Sequence, residues 1–111
     1  MKEYSFPKEE RIIKKRQFEE IFKNAKKYIS PYFIIYYLSK EQKRAGFIVK
    51  KTIGNAVLRN RIKRVLREVY RLNKKGIEKN IEIIIVAKRE IIGKEYKEVE
   101  KAFQKWIEYV K

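Results

Sequence analysis

The cations between Lys50 and Lys75 are the side chains of this chain with the clearest chemistry. Ten lysines or arginines lie in that stretch, against one acid, Glu68. Guanidinium and ammonium groups bind phosphate oxygens, and arginine does so through paired hydrogen bonds. Apolar residues recur through the same stretch at helical spacing, so we expect the charges on one face of a folded helix and not in a disordered tail. The stretch therefore predicts a phosphate-binding helix.

The composition of the whole chain also points to a polyanionic partner. The net charge is +16 over 111 residues, and such a field costs folding stability unless a polyanion lies beside it. Nucleic acid is the first candidate and an anionic membrane surface the second. The chain contains no cysteine and no histidine, which excludes disulfides, thiolate metal sites and a histidine general base. It has neither an apolar run of the ~18 residues that span a membrane nor a signal-peptide core, so we expect a cytoplasmic protein.

The length of the chain predicts a single domain over residues 1–111. Residues 1–10 show no periodicity and are expected to form an extended arm. In chain order, the predicted elements are a helix from about Lys14, strands at 32–38 and 45–50, a helix at 56–73, a strand at 81–87 and a helix after Gly93. We expect the first two strands to form a hairpin, because a polar turn separates them. The order α-β-β-α-β-α predicts an α+β fold with helices packed on a central sheet.

The apolar stripe of the helix predicted at 56–73 determines which of its side chains face outward. The stripe consists of Leu58, Ile62, Val65, Leu66, Val69 and Leu72. The opposite side carries Asn60, Lys63, Arg64, Arg67, Arg71 and Lys74, and Arg59 and Arg61 lie at the margins. Because the stripe has to face the core, these polar side chains are expected to face a partner or solvent.

The segment Gly54-Asn55-Ala56-Val57-x-Arg59-Asn60-Arg61-x-Lys63-Arg64, after a strand that ends in Lys50-Lys51, resembles the signature of the bacterial ribonuclease P protein family. The resemblance covers nearly the whole chain. It implies an α+β fold with a central sheet, a cleft and a βαβ connection of the rare left-handed kind. It also implies a protein that is not itself the catalyst. An RNA subunit with Mg²⁺ hydrolyses a phosphodiester bond and so removes the 5′ leader of precursor tRNA.

The resemblance implies two RNA-binding sites. The residues that match the site for the RNA subunit are Arg59, Asn60, Arg61, Lys63, Arg64 and Arg67. The residues that match the site for the leader are Phe18, Phe22, Tyr36 and Lys51. Thr52 departs from the family, which often has a further lysine or arginine there, so the resemblance carries no phosphate contact over to it. The implied partners are ribonuclease P RNA and precursor tRNA, with no membrane, no obligate protein partner and no metal ligand or catalytic residue in the protein.

Other interpretations of the same residues stay open. Phe18 and Phe22, at positions i and i+4 of a helix, are more often core residues than a binding site. Asn60 is either an RNA contact or a residue whose side chain hydrogen-bonds to the start of its own helix. At the level of function, a ribosomal or RNA-assembly protein predicts the same basic helix, and a protein-only endonuclease is a further alternative that nothing in the spacing of the acids supports.

Overall fold

Three helices and a four-stranded sheet make up residues 5–111, the part of the chain that the structure, a computed structural model, describes. The helices are α1 (Lys15–Asn24), α2 (Ala56–Asn73) and α3 (Tyr96–Val110). The strands are β1 (Lys26–Ile29), β2 (Phe33–Ser39), β3 (Arg44–Ile48) and β4 (Ile81–Ala87). The α+β class is confirmed, and the six predicted elements occur in the predicted order. Residues 1–4 of the predicted arm lie outside the described residues.

The strand β1 adds a seventh element that the sequence analysis does not predict. It pairs antiparallel with β2 at the edge of the sheet, where Lys27 lies opposite Tyr36. Its four residues include two lysines and are mostly exposed, a composition typical of a loop and also of a protected edge strand. The Ser30 hydroxyl stabilises the turn into β2 by accepting hydrogen bonds from the backbone N–H groups of Tyr32 and Phe33 at 3.3 Å.

The predicted hairpin between β2 and β3 is wrong. The sheet order is β1-β2-β4-β3, so β4 lies between them, antiparallel to β2 and parallel to β3. Because β4 is almost entirely apolar and buried, it needs a strand on each edge and cover on both faces, and a hairpin would have left it at an edge. The helix α2 connects the parallel neighbours β3 and β4 and completes a βαβ unit, whose left-handed sense stays a prediction from the family resemblance.

The two faces of the sheet are covered unequally. One face carries the main core, in which side chains such as Ile83 and Ile85 of β4 pack with α2 and α3. On the other face the smaller core cluster forms where Ile21 of α1 packs with Ile84. Since α1 has only ten residues, it leaves part of this second face accessible.

The N-terminal segment, which we define as residues 5–14, is packed against the body of the protein. Phe6 is buried between Phe47 and Tyr70, with ring centroids 6.0 Å and 5.3 Å away. Further along, the backbone N–H of Ile12 donates to the C=O of Ala45 in β3 at 2.9 Å. The described part of the predicted arm therefore contributes to the core.

Lys74 fixes this segment to the end of α2. It is buried, and its ammonium group donates to the C=O of Ser5 and to the carboxylate of Glu10. Helical periodicity placed Lys74 on the cationic face, and this is wrong because residues of the N-terminal segment cover that position and bury the side chain.

Tyr70 carries a buried hydroxyl that has no hydrogen-bond partner within the described part of the chain. We expect Tyr70→Phe to raise the free energy of unfolding by about 1 kcal/mol near neutral pH, because it removes an unpaired buried polar group. Burial, followed by the charge of Glu10, also raises the pKa of Tyr70. The unfolded chain ionises near pH 10 and the folded one does not, so the wild-type protein should lose stability above about pH 10.

Urea denaturation near neutral pH and above pH 10 measures both effects. The Tyr70→Phe protein should be the more stable at neutral pH and should lose less stability in alkali. A variant less stable than the wild type at neutral pH would show that the hydroxyl makes a favourable contact.

Candidate nucleic-acid interface

The basic helix α2 begins at a turn that its own side chains stabilise. The Asn55 carboxamide oxygen accepts a hydrogen bond from the N–H of Leu58 at 2.9 Å, and Arg59 Nε donates to the C=O of Gly54 at 3.1 Å. A Cβ at Gly54 would lie 2.6 Å from Leu58 Cδ2, so a larger residue there would require the Leu58 side chain to move. Asn55 thus provides the helix cap, whereas the side chain of Asn60 is exposed.

The side chains predicted to meet the RNA subunit form one face of α2. Asn60, Arg61, Arg64 and Arg67 are exposed, and Arg59 and Lys63 are half-buried. The ion pairs found within residues 5–111 involve none of these six residues. The next arginine, Arg71, instead binds Glu68 through hydrogen bonds of 2.9 Å and 2.7 Å, which lower the pKa of that carboxyl. The cationic face, defined as these six residues, therefore stops short of Arg71.

The three aromatic residues predicted to meet the leader lie together on the sheet face that α1 partly covers. The ring centroids of Phe22 and Tyr36 are 4.8 Å apart at an interplanar angle of 82°, and Lys27 Nζ lies 5.9 Å from the Tyr36 centroid. Phe18 packs on Gly46, where a Cβ would lie 2.9 Å from Phe18 Cε1. Phe22 is 40% exposed and the other two rings are half-buried. Each of the three rings therefore packs partly against the protein and is partly accessible to a ligand.

A row of aliphatic side chains extends the aromatic group across the sheet. The strand register aligns Ile29, Ile34, Val86 and Ile48, one from each strand. Ile29 is 63% exposed and the other three are half-buried. We define the cleft as this row together with Phe18, Phe22 and Tyr36. It has an apolar floor and an aromatic wall, which suits the faces of unpaired bases.

Lys51 is separate from the aromatic wall. It is exposed in the 3-10 turn after β3, three residues beyond Ile48, which is the β3 member of the aliphatic row. Arg89, which follows β4, reaches the same turn and donates from Nη2 to the C=O of Thr52 at 2.9 Å. A guanidinium group thus lies beside the position where the family often has another cation. Arg89 was not predicted as a site residue: the sequence shows only a lysine-arginine pair directly after a strand, and that pair does not place Arg89 beside Thr52.

Within residues 5–111, no group of three or more Asp, Glu, His or Cys side chains is placed to hold a metal ion. None of the helices in this range combines the length and the apolar character of a membrane span.

Proteins of a known family are similar to this chain in sequence and in fold. The family model described as Ribonuclease P matches residues 6–111. The ribonuclease P protein component of Dictyoglomus turgidum is 42% identical over 77% of this chain and 73% of its own, and that of Desulforapulum autotrophicum is 41% identical over 89% and 86%. The structure of the RNase P protein from Thermotoga maritima superposes with a TM-score of 0.82 at 27% identity, covering 92% of this chain and 98% of that one. The chain therefore belongs to the ribonuclease P protein family.

Proposed function

We propose that this protein binds ribonuclease P RNA through the cationic face of α2 and holds the 5′ leader of precursor tRNA in the cleft. The chain is a ribonuclease P protein component, part of an endoribonuclease that processes tRNA. The observation that carries the proposal is the cationic face, whose six side chains make no ion pair within residues 5–111. Charges that are held on a rigid helix and lack internal counterions are suited to RNA phosphates.

The leader site is the second part of the proposal. Aromatic rings stack on bases with little sequence preference, which suits a leader whose sequence differs from one precursor to the next. The exposed part of Phe22 and the partly exposed ring of Tyr36 supply such surfaces. Lys51 and Arg89, at the far end of the cleft, are placed for leader phosphates. The leader would then cross the aliphatic row between a stacking wall and a cationic end.

The chemical step in this proposal belongs to the RNA subunit. The family resemblance assigns hydrolysis of the phosphodiester bond to that RNA with Mg²⁺, and we assign no Mg²⁺ ligand to the protein. The side chains of both surfaces can bind and orient RNA, and such positioning accelerates a reaction by bringing the reacting groups together. The protein thus contributes substrate affinity and alignment.

The organisation of the protein and its setting are part of the same proposal. We assign residues 1–111 to one RNA-binding domain, which is supported by the single match of the family model to residues 6–111. We place it in the cytoplasm, with ribonuclease P RNA and precursor tRNA as its partners and without an obligate protein partner.

Reconstitution tests the proposal. Purified protein added to its cognate ribonuclease P RNA should raise the rate of 5′ maturation of precursor tRNA at low Mg²⁺, because the protein supplies affinity that high Mg²⁺ otherwise provides. Protein without RNA, in the same Mg²⁺, should leave precursor tRNA uncleaved. If cleavage and substrate affinity are unchanged by the protein, a structural RNA-assembly role is the better account, and cleavage by the protein alone would indicate a protein-only nuclease.

A further inference from the structure

A second groove lies along the outer side of the edge strand β3, between the N-terminal segment, α1 and α2. Its volume is about 410 Å³, within the range of about 300–1,000 Å³ that is typical of small-ligand sites. Its lining includes the cations Arg11, Lys63 and Arg67 and the rings of Phe18 and Phe47. We propose that this edge groove holds a single nucleotide of ribonuclease P RNA that is extruded from its neighbours. The inference rests on the proposed function, since it assumes that α2 docks on that RNA.

The cations of the edge groove are placed for a phosphate group. Arg11 is fixed by a hydrogen bond of 3.0 Å from Nε to the C=O of Phe6, and its guanidinium carbon lies 5.3 Å from the Phe6 ring centroid. Lys63 and Arg67 are four residues apart on α2 and therefore project from the same side of the helix. Among residues 5–111, no carboxylate forms an ion pair with any of these three cations. The groove thus presents cations that form no ion pair within residues 5–111 and are available for a phosphate.

The aromatic residues of the edge groove are placed for a base. Phe18 packs so closely on β3 that a Cβ at Gly46 would lie 2.9 Å from its ring and 3.1 Å from Ile12 Cβ. Phe47 lies on the other side of the strand and makes an edge-to-face contact with Phe6, in which the two ring centroids are 6.0 Å apart. Phe18 and Phe47 are half-buried, so part of each ring is accessible for stacking.

The backbone of β3 adds hydrogen-bonding groups to the same groove. The C=O of Ala45 points away from the sheet, because it accepts from the N–H of Ile12 at 2.9 Å. Alternate residues of a strand direct their backbone groups to the same side, so the N–H and C=O of Phe47 also point to this edge. A nucleobase edge carries both donors and acceptors and can pair with them.

The combination favours an extruded nucleotide over a helical stretch of RNA. A continuous RNA helix presents its phosphates outward and keeps its bases stacked inside, and it would leave the aromatic side of the groove unused. An extruded nucleotide brings its phosphate and its base into one pocket together. Since Lys63 and Arg67 both belong to the cationic face, we assign the nucleotide to the RNA subunit and not to the leader.

Titration of the ¹⁵N-labelled protein with adenosine monophosphate, observed by NMR, tests the groove without any RNA. The nucleotide should shift the amide signals of Ile13, Gly46 and Phe47 in a saturable manner. Inorganic phosphate and adenosine, each at the same concentration, should shift them less. Equal shifts with phosphate alone would reduce the groove to an anion-binding surface and overturn the proposal, as would nucleotide-induced shifts confined to other parts of the protein.

A variant that fills the groove tests the role in RNA binding. Ile13 lines the groove and is 56% exposed, so Ile13→Trp should occupy the space without changing the charge or the core. We expect about tenfold weaker binding of the RNA subunit, the magnitude of one lost stacking contact. Leu72→Trp is the matched control, because Leu72 is 39% exposed and lies on the opposite side of α2 from Lys63. It should bind as the wild type does.

The outcomes separate this inference from the proposed function. If the Ile13→Trp protein binds the RNA subunit as tightly as the wild type does, the proposal that the edge groove holds a nucleotide is overturned. The proposed docking of α2 on the RNA would be unaffected. A wild-type protein that does not bind the RNA subunit would overturn the proposed function, and the nucleotide titration would still decide whether the groove is a nucleotide site. A loss that is seen only with leader-bearing precursor tRNA would overturn the assignment to the RNA subunit.

Discussion

Replacing Arg61 and Arg64 together by alanine is expected to weaken binding of ribonuclease P RNA by about 10- to 100-fold at low salt. Both side chains are exposed, and neither forms an ion pair within the described part of the chain. The loss should therefore be one of phosphate contacts and not of protein stability. Each phosphate contact releases about one counterion, so the slope of the logarithm of affinity against the logarithm of salt concentration should fall by about one to two.

Fluorescence anisotropy over a series of salt concentrations measures both quantities. The matched control is Lys101→Ala with Lys105→Ala, which removes two exposed cations from the outer side of α3. This variant has the same net charge as the double arginine variant. Its affinity and slope should stay close to those of the wild type. An unchanged slope for the double arginine variant, or an equal loss in the lysine variant, would mean that total charge and not the face of α2 determines binding.

The second large effect is expected at the cleft. Tyr36→Ala should lower the affinity of the holoenzyme for leader-bearing precursor tRNA by about 1–3 kcal/mol, the value of one base stacked on an aromatic ring. The affinity for mature tRNA should not change, because mature tRNA has no leader to place there. The ring of Tyr36 also supports Phe22, whose centroid is 4.8 Å away, so the alanine variant should show a larger loss than Phe22→Ala.

Tyr36→Phe is the control, since it keeps the ring and removes only the hydroxyl. It should bind both tRNA forms as the wild type does. Tyr36 is half-buried, so the free energy of unfolding of each variant has to be measured alongside binding. An equal loss of affinity for leader-bearing and mature tRNA would show that Tyr36 has a structural role only.

Helical periodicity was sufficient to predict the helices, and the nearly continuous apolar run at 81–87 was sufficient to predict the strand β4. The apolar stripe of α2 determines its buried side, and Ile62, Leu66 and Val69 are indeed buried. The pairing of the strands was not predictable in the same way. The polar segment between β2 and β3 has the composition of a hairpin turn. The sheet order is instead determined by β4, which is buried, pairs with a strand on each side and begins some forty residues further along the chain.

The candidate sites were predicted to different extents. The exposure of Arg61 and Arg64 follows from the stripe alone, whereas the grouping of Phe18, Phe22 and Tyr36 needed the family resemblance, because Phe at i and i+4 is equally a core pattern. Lys74 was misplaced, since its burial depends on contacts with Ser5 and Glu10, which are distant in the sequence. Arg89 was missed because its position beside Thr52 depends on the tertiary fold.

The strand β4 contributes to both proposed RNA sites. Ile83 and Ile85 lie in the core beneath α2, and their alternate neighbours Ile84 and Val86 lie on the face that carries the cleft. A shift of one residue in its pairing would exchange the two sets, so the register of one strand fixes the separation of the two surfaces. The protein can thus serve as a rigid spacer, because the layers of one sheet and one helix lie between the cleft and the cationic face.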